Sequence, residues 1–423
     1  MGMPADPASD APVVREVTGA SRPPLLSGEL RDRVLDMART LSAGLHAADT
    51  AGGRNASLAS GYAGLAVCHG QLARTRSQGR EDPDQRAADA ARARLEEAVD
   101  MLATEPLTSS LYAGFPGIAW AAELMDRLLG TDGEDRNGAI DEALTHLLRR
   151  YPEQAPYDLI DGLVGIGVYA LARWPRPGAE ACLSGVVEQL ARRARQDGDG
   201  VFWWTPPRDY PVPLPGRVDL GLAHGIAGVI PFLARVDRLG LGGQAARPLL
   251  DGAVSWLLAH LVETAAGPTV PCIVADGIEP EPARSAWCYG DPGVAAALLL
   301  AARDAGEPAW AQAATGLALR AAARPPSQAG VTDPGLCHGS AGLAHLFNRM
   351  YQLTAEPALA EAARFWAERT LELCATAAPS HPGLLEGTAG VALALETLGT
   401  TAEPVWDQML LVSTGATPGE PPR

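Results

Sequence analysis

The 423-residue chain is 47% apolar and carries 34 basic against 50 acidic residues, a net charge of −16. This excludes the basic footprint that nucleic acids and anionic membranes need, and no apolar run reaches the roughly 20 residues of a membrane span. Every basic residue is arginine, so no Schiff-base or phosphate-loop lysine is available.

Residues 1–27 contain Pro4, Pro7, Pro12, Pro23 and Pro24 without periodicity and read as a flexible tail, as does 413–423. Residues 28–412 are expected to form one domain. No basic-then-apolar signal opens the chain, so a cytoplasmic location is expected. Six cysteines scattered over such a length do not suggest a disulfide framework.

The first helix is expected over 29–45, where Leu30, Val34, Leu41 and Leu45 share one face and Ser27 suits an N-cap. Segment 84–102 has a similar pattern, with Leu95, Val99 and Leu102 opposite its charges. Between and beyond such amphipathic segments a Gly-x-x-Gly step recurs seven times. The steps are Gly61–Gly64, Gly114–Gly117, Gly162–Gly165, Gly225–Gly228, Gly290–Gly293, Gly339–Gly342 and Gly387–Gly390. Each precedes an apolar stretch, such as IAGVIPFLA at 226–234 and GVAAALLLA at 293–301. A helix apolar on every side is buried on every side. Seven buried helices alternating with seven amphipathic ones predict an all-α fold, a closed α/α toroid of two concentric rings. Glycine suits each inner start, where backbones crowd and the turn needs unusual φ and ψ. The loop at 198–217 holds Trp203 and Trp204, which are expected to pack within it; the alternative is that they form part of a substrate-binding rim.

Two repeats place a cysteine two residues before the first glycine: Cys288 before Gly290 and Cys337 before Gly339. Repeat symmetry sets these thiols at one height on adjacent inner helices, and His338 follows Cys337 directly. Two thiolates and one imidazole form a three-ligand zinc set with a fourth position open; the alternative is two buried cysteines beside an incidental histidine. Cys68-His69-Gly70 repeats the tripeptide, but its cysteine lies seven residues after Gly61 and is expected to be structural. Cys182, Cys272 and Cys374 have no matched register and read as ordinary residues. His224, just before Gly225, Asp158, four before Gly162, and Arg284, four before Cys288, gather at the same level.

These residues closely resemble the lanthionine synthetase C-like family, through WCYGDPG at 287–293, GLCHGSAGLAH at 335–345 and GLAHGIAG at 221–228. The likeness runs from about residue 30 to 400. It implies a double α-toroid with one zinc on Cys288, Cys337 and His338, and active-site roles for Asp158, His224, Arg284 and Tyr289. The expected reaction adds a peptide cysteine thiol to dehydroalanine or dehydrobutyrine, closing a thioether ring. His224 is expected to move protons, Asp158 to orient it or take the thiol proton, and Arg284 to steady an enolate oxygen. The implied partners are a dehydrated precursor peptide and a separate dehydratase, in a bacterial source. Glutathione transfer to dehydrated peptides, a noncatalytic zinc-containing peptide-binding toroid and a zinc prenyltransferase-like toroid are the alternatives.

Overall fold

The computed structural model describes residues 24–45, 54–77, 84–130, 135–207, 213–377 and 379–415. Most of both expected tails, 1–23 and 416–423, lies outside the described residues. Every Gly-x-x-Gly step starts a helix at the residue after its first glycine. These inner helices are α2 (Tyr62–Arg76), α4 (Phe115–Leu129), α6 (Leu163–Arg173), α8 (Ile226–Arg238), α10 (Asp291–Ala305), α12 (Ser340–Thr354) and α14 (Thr388–Gly399). Between them run α1 (Gly28–Leu45), α3 (Gln85–Asp100), α5 (Gly138–Leu148), α7 (Pro177–Arg193), α9 (Ala246–Ala259), α11 (Pro308–Ala323) and α13 (Pro357–Thr376). Each inner helix packs on the next and α14 returns to α2, closing the ring; α1 seals the outside by packing on α14. The expected double ring is present.

Burial follows the residue pattern, since α10 is buried along almost its whole length while α13 buries one stripe. On α1, Val34, Leu41 and Leu45 turn inward as expected. On α3 the expectation holds for Leu95, which packs against the core, and fails beyond it. The buried face is alanine (Ala87, Ala88, Ala91 and Ala98), whereas Val99 and Leu102 are exposed. Small side chains let α3 lie close against α2 and α4, so its apolar bulk is not where its core contact is.

The glycines answer mainly to crowding. A Cβ at Gly342 would collide with the Leu336 carbonyl, because the loop before each inner helix folds back over its first turn. Six of the seven helix-starting glycines are extended; only Gly290, at φ 106°, has the left-handed backbone that glycine alone adopts cheaply.

The loops before the inner helices are joined into a closed circle of hydrogen bonds. Ala59 N–H donates to Tyr112 O (3.0 Å), the Ser110 hydroxyl to Ile160 O (2.8 Å), and Leu159 N–H to Ala223 O (3.2 Å). Ala223 N–H continues to Cys288 O (3.2 Å), Cys288 to Cys337 O (3.3 Å), Cys337 to Leu385 O (2.9 Å), and Leu385 back to Ala59 O (3.0 Å). Every acceptor in this circle stands two residues before its step's first glycine. The register used to pair the cysteines is therefore a physical level in the molecule, fixed by backbone bonds that could not otherwise be satisfied at a buried helix start.

Three two-stranded antiparallel pairs interrupt the helices: β1 (Arg195–Gln196) with β2 (Val201–Phe202), β3 (Val218–Asp219) with β6 (Ile273–Val274), and β4 (Val262–Thr264) with β5 (Gly267–Thr269). A 3-10 turn, Val405–Leu410, then fills the inside of the ring. Its Met409 and Leu410 carbonyls accept from the Tyr112 hydroxyl (2.7 Å) and the Trp287 indole (2.9 Å), and Glu403 O accepts from Gln71 (3.3 Å). The ordered segment extends past residue 412: Thr414 is buried and accepts from Arg303 and Arg349.

Candidate metal centre and catalytic cluster

The hydrogen-bonded circle carries two kinds of position. At its acceptor level stand Ala59, Tyr112, Ile160, Ala223, Cys288, Cys337 and Leu385, and one residue further on stand Ser60, Ala113, Asp161, His224, Tyr289, His338 and Glu386. All of the second set but Ala113 are polar, so polar side chains line most of the toroid mouth.

Cys288, Cys337 and His338 offer ligand atoms that lie within 4.8 Å of one another, on two adjacent loops. Hydrogen bonding with Cys337, against the opposing cost of burial, and the nearness of His338 and Arg284 bring the Cys288 thiol down to about 4. Cys337 moves the other way, because it keeps the proton it lends to Cys288 and is buried. The carboxylates of Asp333 and Glu386 lie 3.7 and 4.0 Å from the His338 ring nitrogens. Two thiols and an imidazole with ligand atoms this close make a soft donor set that fits a zinc-type ion.

His224 and Asp158 meet on the neighbouring arc, with Nδ1 2.8 Å from Oδ2. The second Asp158 oxygen accepts the Asp161 N–H at 2.8 Å, which fixes the carboxylate. Burial works to lower the His224 pKa, but the Asp158 hydrogen bond and the charges of Asp158, Asp161 and Asp219 raise it above the ordinary value. The Tyr289 ring lies 6.3 Å from the imidazole at an interplanar angle of 27°. Arg284 is exposed, and its charge draws down the Cys288 thiol.

An open cavity of about 1000 Å³ begins at Asp158, His224 and Tyr289 and runs toward Arg195 and Trp204. Trp203 is fully buried and its indole donates to Leu190 O at 2.9 Å, so it packs the loop as expected. Trp204 lines the same cavity but is half-buried and carries the Arg195 guanidinium 5.1 Å above its ring.

Cys68 is fully buried in α2, its thiol pushed up to about 12 by burial, with Sγ 3.6 Å from Ala389 O. It stands apart from the Cys288 cluster. Cys272 lines the cavity, and its thiol feels the charges of Cys288 and Arg284 after the larger effect of burial. Sequence reasoning also passed over Asp161 and Asp219. Asp161 carried a readable signal, since it precedes Gly162 as His224 precedes Gly225; Asp219 shares the register of Arg284, six before its first glycine, but its turn toward Tyr289 is made by a short strand that the register does not reveal.

Two closed rings of helices with a Cys-Cys-His cluster and a carboxylate–imidazole pair at one mouth define an α/α toroid with a candidate metal centre in its rim. A family model described as lanthionine synthetase C-like protein matches residues 53–411, and the chain belongs to that family. It is also similar in fold to the solved structure titled nisin cyclase, with TM-score 0.72 over 91% of this chain and 98% of that one, at 20% identity.

Proposed function

We propose that this chain is a zinc-dependent cyclase that adds cysteine thiols of a dehydrated peptide to its dehydroalanine or dehydrobutyrine residues. The observation that carries this reading is that one hydrogen-bonded circle links Cys288 and Cys337, next to His338, with Ala223, next to His224 and its partner Asp158. Family membership and the likeness to nisin cyclase support it. Zinc held by Cys288, Cys337 and His338 would supply the acidity that leaves a substrate thiol ionised at neutral pH.

The chain's own side chains supply the rest. The peptide sulfur bonds to the β-carbon of the dehydro residue, and the alkene electron pair moves toward the neighbouring carbonyl oxygen. Asp158 holds His224 through Nδ1, which leaves Nε2 for the substrate. Its raised pKa favours the protonated imidazole, which can deliver a proton to Cα. Arg284 and the positive N-terminal ends of α10 and α12 offset the transient charge on oxygen. The thiol proton leaves and one proton returns at carbon, so substrate and product have the same mass.

A separate dehydratase would make the substrate. Among the described residues no helix is long and apolar enough to cross a membrane, and the turn Val405–Leu410 fills the ring, so a peptide would enter from the cysteine-bearing mouth. Incubation with zinc and a dehydrated, cysteine-containing peptide tests the proposal. Loss of alkylatable thiol at constant mass is expected; a thiol that stays alkylatable would overturn it.

A further inference from the structure

In four of the seven repeats the side chain six residues before the first glycine caps its own loop by accepting the N–H two residues on. Asn55 accepts from Ser57 (2.9 Å), Thr108 from Ser110 (3.4 Å), Asp333 from Gly335 (2.7 Å) and His381 from Gly383 (3.2 Å). Asp219 occupies that register before Gly225 and has the chemistry to do the same. It is turned elsewhere. Its Oδ1 accepts from the Tyr289 hydroxyl at 3.2 Å and from Arg217 Nε at 2.9 Å, while Oδ2 is buried without a hydrogen-bond partner. The residue is 1% exposed and locked in β3, paired with Ile273 of β6.

A carboxylate withdrawn from its local turn and half-satisfied in a buried place is costly to keep, and a local stabilising role does not account for it. We propose that Asp219 is a positioning residue: it anchors the Tyr289 hydroxyl so that the phenol ring lies over His224 and holds the imidazole with Nδ1 on Asp158. The chain of contacts is continuous, from Arg217 through Asp219, Tyr289 and His224 to Asp158. It also assigns Tyr289 a part. Its hydroxyl proton is committed to Asp219, so Tyr289 acts as a wall and not as the acid that protonates the substrate.

This inference rests on the cyclase reading for its kinetic arm, and a second arm is independent of activity. In labelled wild-type protein, proton NMR should show cross-relaxation between the Tyr289 and His224 rings. Asp219→Ala should abolish it, and Asp219→Asn, which keeps an oxygen for the hydroxyl, should preserve it. On a dehydrated peptide Asp219→Ala should lower kcat by about 10- to 100-fold, as misplacement of a reacting group does, with KM and zinc content unchanged. Asp219→Asn should stay within about threefold of wild type, the kcat rescue expected if it keeps the ring where it is. Tyr289→Phe combined with Asp219→Ala should be no slower than the worse single variant, because both break one contact. Multiplied losses in the double variant, or persistent ring contact in Asp219→Ala, would overturn the proposal. If the alanine variant does not fold, the isosteric Asp219→Asn decides: lost ring contact, or kcat below a tenth of wild type with zinc bound, would refute it. Wild-type protein that closes no ring defeats the cyclase reading and leaves the NMR arm standing.

Discussion

The N–H of Cys288 donates to the carbonyl of Cys337 at 3.3 Å, so the two thiol-bearing residues occupy neighbouring rungs of one closed hydrogen-bonded circle. The main-chain bonds at Cys288 and Cys337 hold the candidate metal centre and do not depend on either thiol.

Replacing Cys288, Cys337 or His338 by alanine should leave the protein folded and strip most of its zinc, from about one ion per chain in the wild type. Cys68→Ala should keep the metal, since that thiol is buried within α2 beside Ala389. Elemental analysis of the purified variants checks this. Zinc retained in all three ligand variants, or lost with Cys68, would assign the metal to other residues.

His224 should set the alkaline limb of the rate profile. Its pKa is raised in the folded protein, so the protonated form survives above the ordinary value of about 6.5 and is lost as pH rises through the higher one. Asp158→Asn removes the main raising partner, so the limb should move to lower pH. His224→Asn should slow ring closure by at least about 10²-fold while zinc stays bound. A limb that does not move in Asp158→Asn, or near-normal turnover in His224→Asn, would make the pair structural.

The segment inside the ring should matter for stability. Asp407 is fully buried and accepts from Arg349 Nε (2.6 Å) and His345 Nε2 (2.9 Å). Burial acts to raise its pKa, but the charge of Arg349 and the bond from His345 hold it below the usual carboxylate range. A depressed carboxylate stabilises above its unfolded pKa and loses that contribution as pH falls through the folded value. Asp407→Ala, which leaves Arg349 with Glu403 as its remaining carboxylate, should cost about 1.5–3 kcal/mol in denaturant unfolding at neutral pH, and the difference should shrink in acid. A change under about 1 kcal/mol would contradict this.

The seven glycine steps made the inner ring legible, because crowding under each helix start leaves no room for a side chain and so marks the sequence. The same register found Cys288 and Cys337 and separated them from Cys68. Read one residue further on, it would also have found Asp161 beside His224. What stayed hidden depends on long-range contact. Asp219 reaches the site through a two-residue strand paired with Ile273, too short to carry an alternating pattern. Val99 and Leu102 of α3 pointed to the wrong face, because close helix approach favours Ala91 and Ala98 over them. The turn at Val405–Leu410 has no repeat partner, and only the folded ring shows that Tyr112, Trp287 and Arg349 converge on it.

The central claim is that the site joins a peptide's own thiol to its own dehydro residue. Thiol and alkene on one chain have a high effective concentration, so no pocket for a free thiol is required. Incubate the zinc-loaded protein with a dehydrated, cysteine-containing peptide and excess glutathione, then alkylate and weigh the products. Loss of alkylatable cysteine with no change in mass is predicted. Products that carry the added mass of glutathione, with the peptide thiol still free, would contradict it.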